Sequence, residues 1–338
     1  MGRYYYPVAG LPHLTFDGLK PPYTVLAFKE ELAKHLTKAD RRLFEIFKLE
    51  VDTKNLLRQL QNADYDLIDG GRITVDEIKA LIAGVQTEFT SKKEIETYNQ
   101  EAKEFNETLK INEFENYEIK DNELKKISKR KLKSFKKPFK NKNKRLPAYF
   151  EKFTRLYLAS VDNGEAIIVP WEDRLLSLYY EFVMKCSNAF LASWFELNLN
   201  INNIYTALTC RKHKLDRANY IVGHTETSNK LRTSAVRDFE LGESLAYFSS
   251  VVHIAEDPDW LQREWRTDQL KWEWLDEKLF PQVFDFENLI AYYLKIGMQE
   301  RRASHDMAEG EKAFQQIVGP LKKSGTHVLE EFKRNNKK

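Results

Sequence analysis

The sequence predicts an all-α protein of pseudo-repeated helical bundles. Three observations support this prediction. Glycine accounts for 13 and proline for 10 of the 338 residues, which is fewer than a fold with many tight turns requires. Apolar residues make up 42% of the chain and recur over long stretches at the spacing of one helix face. A helical segment near residue 50 also recurs near residue 200.

The helices of the first quarter follow one another closely. An aromatic arm, residues 4–14, ends before Pro21. Apolar periodicity over residues 24–87 then predicts four short or medium helices. The last of these begins at a capping box formed by Thr74 and Glu77, in which each residue satisfies a free amide of the other.

A charged block over residues 88–147 differs from the rest of the chain. Between Glu88 and Glu123 there are 11 acidic and five basic residues, and between Lys125 and Arg145 there are 12 basic residues and no acidic one. Few aromatic residues interrupt the block, so it buries little surface alone. It is predicted to form a helical hairpin or a partly disordered arm.

Apolar periodicity returns after the block. A single long stripe from Leu175 to Trp194 is the strongest helical pattern in the chain, and a tryptophan-rich region precedes the last helix. These patterns predict four segments: a helical unit over 1–87, the charged arm over 88–147, a second helical unit over 148–234 and a third over 235–338.

The internal repeat aligns Phe47–Leu60 with Phe195–Leu208, 148 residues apart. Asp52 and Asn200 are predicted to cap the helices that follow them. Chance similarity between two helix–cap–helix junctions is the alternative explanation. The repeat motif consists of Asp52, Asn55 and Leu56 in the first copy and Asn200, Asn203 and Ile204 in the second.

Reactive groups show no convergent pattern. The chain lacks a P-loop, a dinucleotide-binding glycine motif and a zinc-protease helix motif. His253 near Glu256 and Asp257 is interpreted as a surface histidine, and Gly242–Ala246 as a helix contact instead of a nucleophile elbow. We therefore predict no catalytic residue, no metal site and no cofactor.

The basic half of the charged block is the candidate partner contact. An acidic protein, anionic lipid head groups and RNA are possible partners, and pairing with the acidic half is the alternative without a partner. Only Phe135 and Phe139 could stack on bases, so nucleic acid is the least favoured partner. The candidate contact residues are Lys125, Lys126, Lys129, Arg130, Lys131, Lys133, Lys136 and Lys137.

Several of these motifs resemble a known family. The arm at residues 4–14 and the segment at 47–74 resemble a bacterial family usually encoded with V/A-type ATPase subunits. The repeated Asp/Asn-x-x-Asn units and the ending that contains Tyr293, Leu294, Glu300 and Gly310 resemble the funnel-shaped central-stalk protein of V-type ATPases, which we call the stalk funnel. The block at 88–147 departs from the stalk funnel, whose first bundle continues at that point.

The resemblance implies a fold and a function. The stalk funnel is all-helical, consists of three pseudo-repeated bundles and joins the rotating shaft to the membrane rotor ring. We therefore expect a non-catalytic central-stalk adaptor whose partners are the shaft subunits and the ring. The cysteines Cys186 and Cys210 indicate no disulfide framework, and no stretch is apolar enough to span a bilayer. The expected location is cytoplasmic, peripheral to the inner membrane through the complex. The rival hypothesis is a helical protein that binds RNA or acidic partners through residues 125–145.

Overall fold

The computed structural model confirms an all-helical architecture. It describes residues 4–18, 21–62, 67–109, 117–120, 123–126, 143, 145–163, 170–280 and 284–304. The helices are α1 Tyr5–Ala9, α2 Val25–His35, α3 Lys38–Phe44, α4 Leu49–Leu60, α5 Val75–Leu109, α6 Ala148–Asn163, α7 Trp171–Val183, α8 Ala189–His213, α9 Glu226–Thr233, α10 Phe248–Ala255, α11 Trp260–Leu279 and α12 over residues 286–304.

The charged block contains a short β-hairpin that the sequence analysis did not predict. Helix α5 continues into the block, and strand β1, Tyr117–Lys120, then pairs antiparallel with strand β2, Glu123–Lys126. Tyr117 and Ile119 alternate with charged residues, and this period of two is the signal of a strand. The prediction of a purely helical hairpin was therefore wrong for residues 117–126.

The chain divides into two compact units. One contains Met1–Phe44 and Glu240–Lys338, and the other contains Glu45–Phe239. The first unit brings together both ends of the chain, which the four predicted segments do not anticipate.

Hydrogen bonds and ring contacts hold the N-terminal arm against the C-terminal part of the first unit. The Tyr4 amide donates to the Phe284 carbonyl at 2.6 Å, and the rings of Tyr5 and Phe284 lie 4.6 Å apart. The Tyr4 hydroxyl donates to Asp40 at 2.5 Å. Burying the tyrosine ring and satisfying its polar end at the same time stabilises this position of the arm.

The core of the second unit is aromatic. Phe150 and Phe153 of α6 are fully buried. The Trp171 ring of α7 packs edge-on against Phe153, with 5.8 Å between ring centroids. The Tyr149 hydroxyl shares a hydrogen bond of 2.7 Å with Thr53 of α4. These contacts join three helices around one apolar centre.

The predicted stripe from Leu175 to Trp194 is divided between two helices. Helix α7 ends at Val183, and α8 begins after Asn188, whose side-chain oxygen accepts the Leu191 amide at 2.9 Å. An asparagine at this position caps a helix because its side chain replaces a missing backbone partner. The apolar spacing on the two sides of the break is similar, so periodicity alone joined them.

Tyr180 should make the protein sensitive to alkali. Burial, followed by the nearby Glu50 carboxylate, raises the pKa of Tyr180 to about 12, whereas an unfolded chain loses this proton near pH ~10. Stability that is present below pH ~10 is therefore lost as the pH rises toward the folded pKa. We expect Tyr180→Phe to lose stability less steeply than the native chain in urea unfolding between about pH 9 and about pH 11. The matched control is Tyr220→Phe, at an exposed position, and an equal slope in both variants would contradict the assignment.

Candidate interaction site

Asn55 attaches a loop to helix α4. Its side-chain nitrogen donates to the Ile68 carbonyl at 2.8 Å, and its side-chain oxygen accepts the Ile68 amide at 2.9 Å. One amide side chain therefore satisfies both backbone groups of one loop residue, as a neighbouring strand would. Asn55 is 5% exposed, so water does not easily replace these bonds.

Asn203 makes the same pair of bonds from helix α8. It donates to the Val222 carbonyl at 2.8 Å and accepts the Val222 amide at 3.0 Å. A third bond of 3.1 Å runs to the Ser228 hydroxyl. Asn55 and Asn203 are the aligned asparagines of the repeat motif, and both fix the loop that leads into the next helix. We call this arrangement the asparagine clamp.

The two capping predictions of the repeat motif were wrong. Asp52 lies inside α4 and Asn200 lies inside α8. The Asp52 carboxylate, which is fully buried, accepts the amides of Arg72 and Ile73 at 3.1 and 3.0 Å. Burial raises the pKa of Asp52, while the two amides act in the opposite direction. Asp52 thus holds the same loop as Asn55, one helical turn away.

The remaining motif residues, Leu56 and Ile204, are fully buried. Phe47 and Phe195, which the repeat also aligns, contact each other with 5.6 Å between their ring centroids. Self-contact of equivalent positions is what a two-fold relation between two copies produces. The motif therefore has a structural role in positioning loops, and the repetition of whole bundles stays a prediction.

The capping box predicted for α5 is confirmed. The Thr74 amide donates to Glu77 at 2.9 Å, and the Glu77 amide donates back to the Thr74 hydroxyl at 3.3 Å. In the second unit Thr225 caps α9 by accepting the Ser228 amide at 3.1 Å. Each asparagine clamp is therefore followed by a threonine cap.

The predicted basic contact is only partly visible. Lys125 and Lys126 lie on strand β2, opposite Glu118 and Tyr117 in the register. The other predicted contact residues lie outside the described residues: Lys129, Arg130, Lys131, Lys133, Lys136 and Lys137.

A different basic patch lies at the C-terminal end of α8. Arg211 stacks on the buried Phe239 ring, with its guanidinium carbon 3.9 Å from the ring centroid. The Arg217 guanidinium lies 5.2 Å from the same centroid. Arg211 also donates to the Arg237 carbonyl at 2.6 Å. We define the α8-end patch as Arg211, Lys212, Lys214, Arg217 and Arg237.

The α8-end patch carries uncompensated positive charge. Burial lowers the pKa of Arg211, and the neighbouring charges of Arg217 and Arg237 lower it further. Within the described part of the chain, no carboxylate forms an ion pair with a side chain of this patch. Rigidly held guanidinium groups favour planar anions such as carboxylates. The patch is therefore suited to an acidic partner.

Sequence reasoning missed this patch because its members come from distant positions. Arg211 and Arg237 are 26 residues apart, and only the turn after α9 brings them together. A run of basic residues at 211–214 was the single local signal.

A metal centre has no support in the described residues. No group of three or more histidine, cysteine or carboxylate side chains there could hold an ion. Asp257, the acid closest to the predicted histidine group, instead faces Arg266 at 3.3 Å. None of the described helices combines the length and apolar composition that membrane crossing requires.

Comparison with known families decides the classification. A family model described as a protein of unknown function, DUF2764, matches residues 1–102 and 99–325. The chain belongs to the DUF2764 family. No curated protein and no solved structure matches this DUF2764 protein. The resemblance to the stalk funnel therefore stays a prediction.

Proposed function

We propose that this DUF2764 protein is a non-catalytic central-stalk rotor adaptor of a V/A-type ion-translocating ATPase. It would link the shaft subunits to the membrane rotor ring from the cytoplasmic side, peripheral to the inner membrane. The supporting observation is the asparagine clamp, which Asn55 and Asn203 form with the same atoms at aligned positions. Duplicated helix–loop units are the architecture that the resemblance to the stalk funnel implies.

A torque-transmitting part needs loops that move with its helices. The clamps provide this because a loop residue is bonded through both backbone groups to a buried helix side chain. Asp52 adds two further bonds to the first loop. The polar residues of the motif are thus used in holding the body together, which suits a mechanical role better than a chemical one.

The α8-end patch offers a contact for acidic loops of the ring or shaft. Its guanidinium groups are fixed by backbone carbonyls and by the Phe239 ring, so little side-chain entropy is lost on binding. The basic segment at 125–145 remains the second candidate contact.

Affinity purification in a bacterium that carries a V/A-type ATPase tests the proposal. The tagged full chain should recover the shaft and ring subunits at low salt. Reversing three exposed charges of the patch, in Lys212→Glu, Lys214→Glu and Arg237→Glu, should reduce recovery about tenfold, because like charges then face the partner. Mass spectrometry of the recovered subunits provides the measurement.

The matched control reverses as many exposed charges elsewhere, in Lys38→Glu, Lys152→Glu and Arg263→Glu, and should leave recovery unchanged. If the native chain recovers none of the ATPase subunits at low salt, the proposed function fails. Salt-sensitive recovery of RNA that disappears when residues 125–145 are deleted would instead support the rival hypothesis.

A further inference from the structure

A cavity of about 430 Å³ lies inside the unit that contains both chain ends. This volume falls in the range of small-molecule sites, which are mostly apolar with a few placed polar groups. Three aromatic rings and a thioether form its apolar wall. The cavity is lined by Phe16, Leu261, Gln262, Glu264, Trp265, Asp268, Trp272, Met298, Gln299 and Arg302.

The aromatic wall is shaped for a planar molecule. The Phe16 ring lies 5.3 Å from Trp265 at an interplanar angle of 56° and 5.5 Å from Trp272 at 76°. Rings at these angles present faces and edges to the same space, and a planar aromatic guest gains from both. Arg302 fixes Phe16 from the other side, with its guanidinium carbon 4.9 Å from the ring centroid.

One polar atom at this cavity is not satisfied. Gln299 is 3% exposed, and its side-chain nitrogen donates to the Thr15 carbonyl at 2.7 Å. A carbonyl accepts only a donor, so this bond fixes the orientation of the amide. Among the described residues, none lies within hydrogen-bonding distance of Gln299 Oε1. A buried acceptor without a donor is costly, and a ligand that donates there would remove the cost.

The charged lining residues do not compete for this acceptor. Arg301 binds both Asp268 oxygens at 2.6 Å and Glu264 at 2.8 Å. Arg302 is directed to the carbonyls of Phe16 and Gly18. The remaining requirement of the cavity is therefore for a donor and not for a charge.

We propose that this cavity binds a planar aromatic heterocycle whose N–H or amino group donates to Gln299 Oε1. The site lies apart from the α8-end patch and does not depend on the proposed rotor function. Indole and 1-methylindole form a matched pair of probes, because the methyl group removes the donor and keeps the ring system.

Calorimetric titration of the full chain with both compounds tests the proposal. Indole should bind saturably, and 1-methylindole should bind about tenfold more weakly, the effect of one hydrogen bond to a buried acceptor. Gln299→Met should abolish this difference. Trp265→Leu should weaken indole binding, whereas the control Trp260→Leu, on the same helix at a residue that is 57% exposed and outside the cavity, should not.

Equal binding of the two probes to the native chain would overturn the proposal, as would the absence of saturable indole binding. Indole binding that is insensitive to Trp265→Leu would also overturn it. If either cavity variant fails to fold, the comparison of the two probes on the native chain still decides the matter.

Discussion

Replacing Asn203 by alanine is expected to lower the free energy of unfolding by about 3 kcal/mol. The substitution removes three hydrogen bonds, at 2.8, 3.0 and 3.1 Å, from a residue that is 2% exposed. The Val222 amide would then be buried without an acceptor. The Val222 carbonyl keeps one donor, the Ser228 hydroxyl at 3.0 Å, which limits the loss.

Asn55→Ala should have the same effect at about 2 kcal/mol, since it breaks two bonds instead of three. Urea unfolding followed by circular dichroism measures the global loss. Hydrogen exchange at the Ile68 and Val222 amides measures the local one, because a released loop exchanges without global unfolding.

The control for Asn203 is its neighbour Asn202, which is exposed on the same helix. Asn202→Ala should cost less than about 1 kcal/mol. A similar loss for Asn202→Ala and Asn203→Ala, or unchanged protection of Val222 in Asn203→Ala, would show that the asparagine clamp does not hold the loop.

Gly71→Ala is expected to be at least as damaging, at about 3 kcal/mol. A Cβ atom at residue 71 would lie under 3.0 Å from Asp52 Oδ1, and Asp52 is held in place by two backbone amides. Either the loop moves outward or the buried carboxylate loses its donors. Both outcomes expose a charge that the fold has desolvated.

Gly70→Ala is the matched control because the two glycines are adjacent but differ in cause. Gly70 has a φ of +96° and no atom within 4 Å of an added Cβ, so its replacement costs only backbone strain, about 1 kcal/mol. The double variant Asp52→Ala with Gly71→Ala should be less destabilised than the sum of the single variants, since the clash disappears. Strict additivity would contradict the assigned role of Asp52.

The residues of the repeat were identifiable from sequence, but their roles were not. Alignment at an offset of 148 selects Asn55 and Asn203, and the structure gives both the same bonds. The capping role assigned to Asp52 failed because a cap is a local pattern, whereas the partners of Asp52 lie 20 and 21 residues away. An aspartate in a buried helix looks the same in sequence whether it bonds to the next turn or to a distant loop.

The β-hairpin illustrates the opposite limit. Its signal, the alternation around Tyr117 and Ile119, is local and present in the sequence, but the charge of the whole block obscured it. Charge describes the solvent-exposed character of a segment and does not distinguish a helix from a strand.

By itself, the sequence determined the helical class of this DUF2764 protein, because helical periodicity and the scarcity of glycine and proline act within a few residues. It also determined the clamp asparagines and the capping box at Thr74. Only the tertiary structure decided where charge and cavities occur. The α8-end patch joins residues 26 positions apart, and Gln299 meets Thr15 across 284 positions. Such contacts depend on how helices pack, and packing is a property of the folded chain that no single stretch of sequence carries.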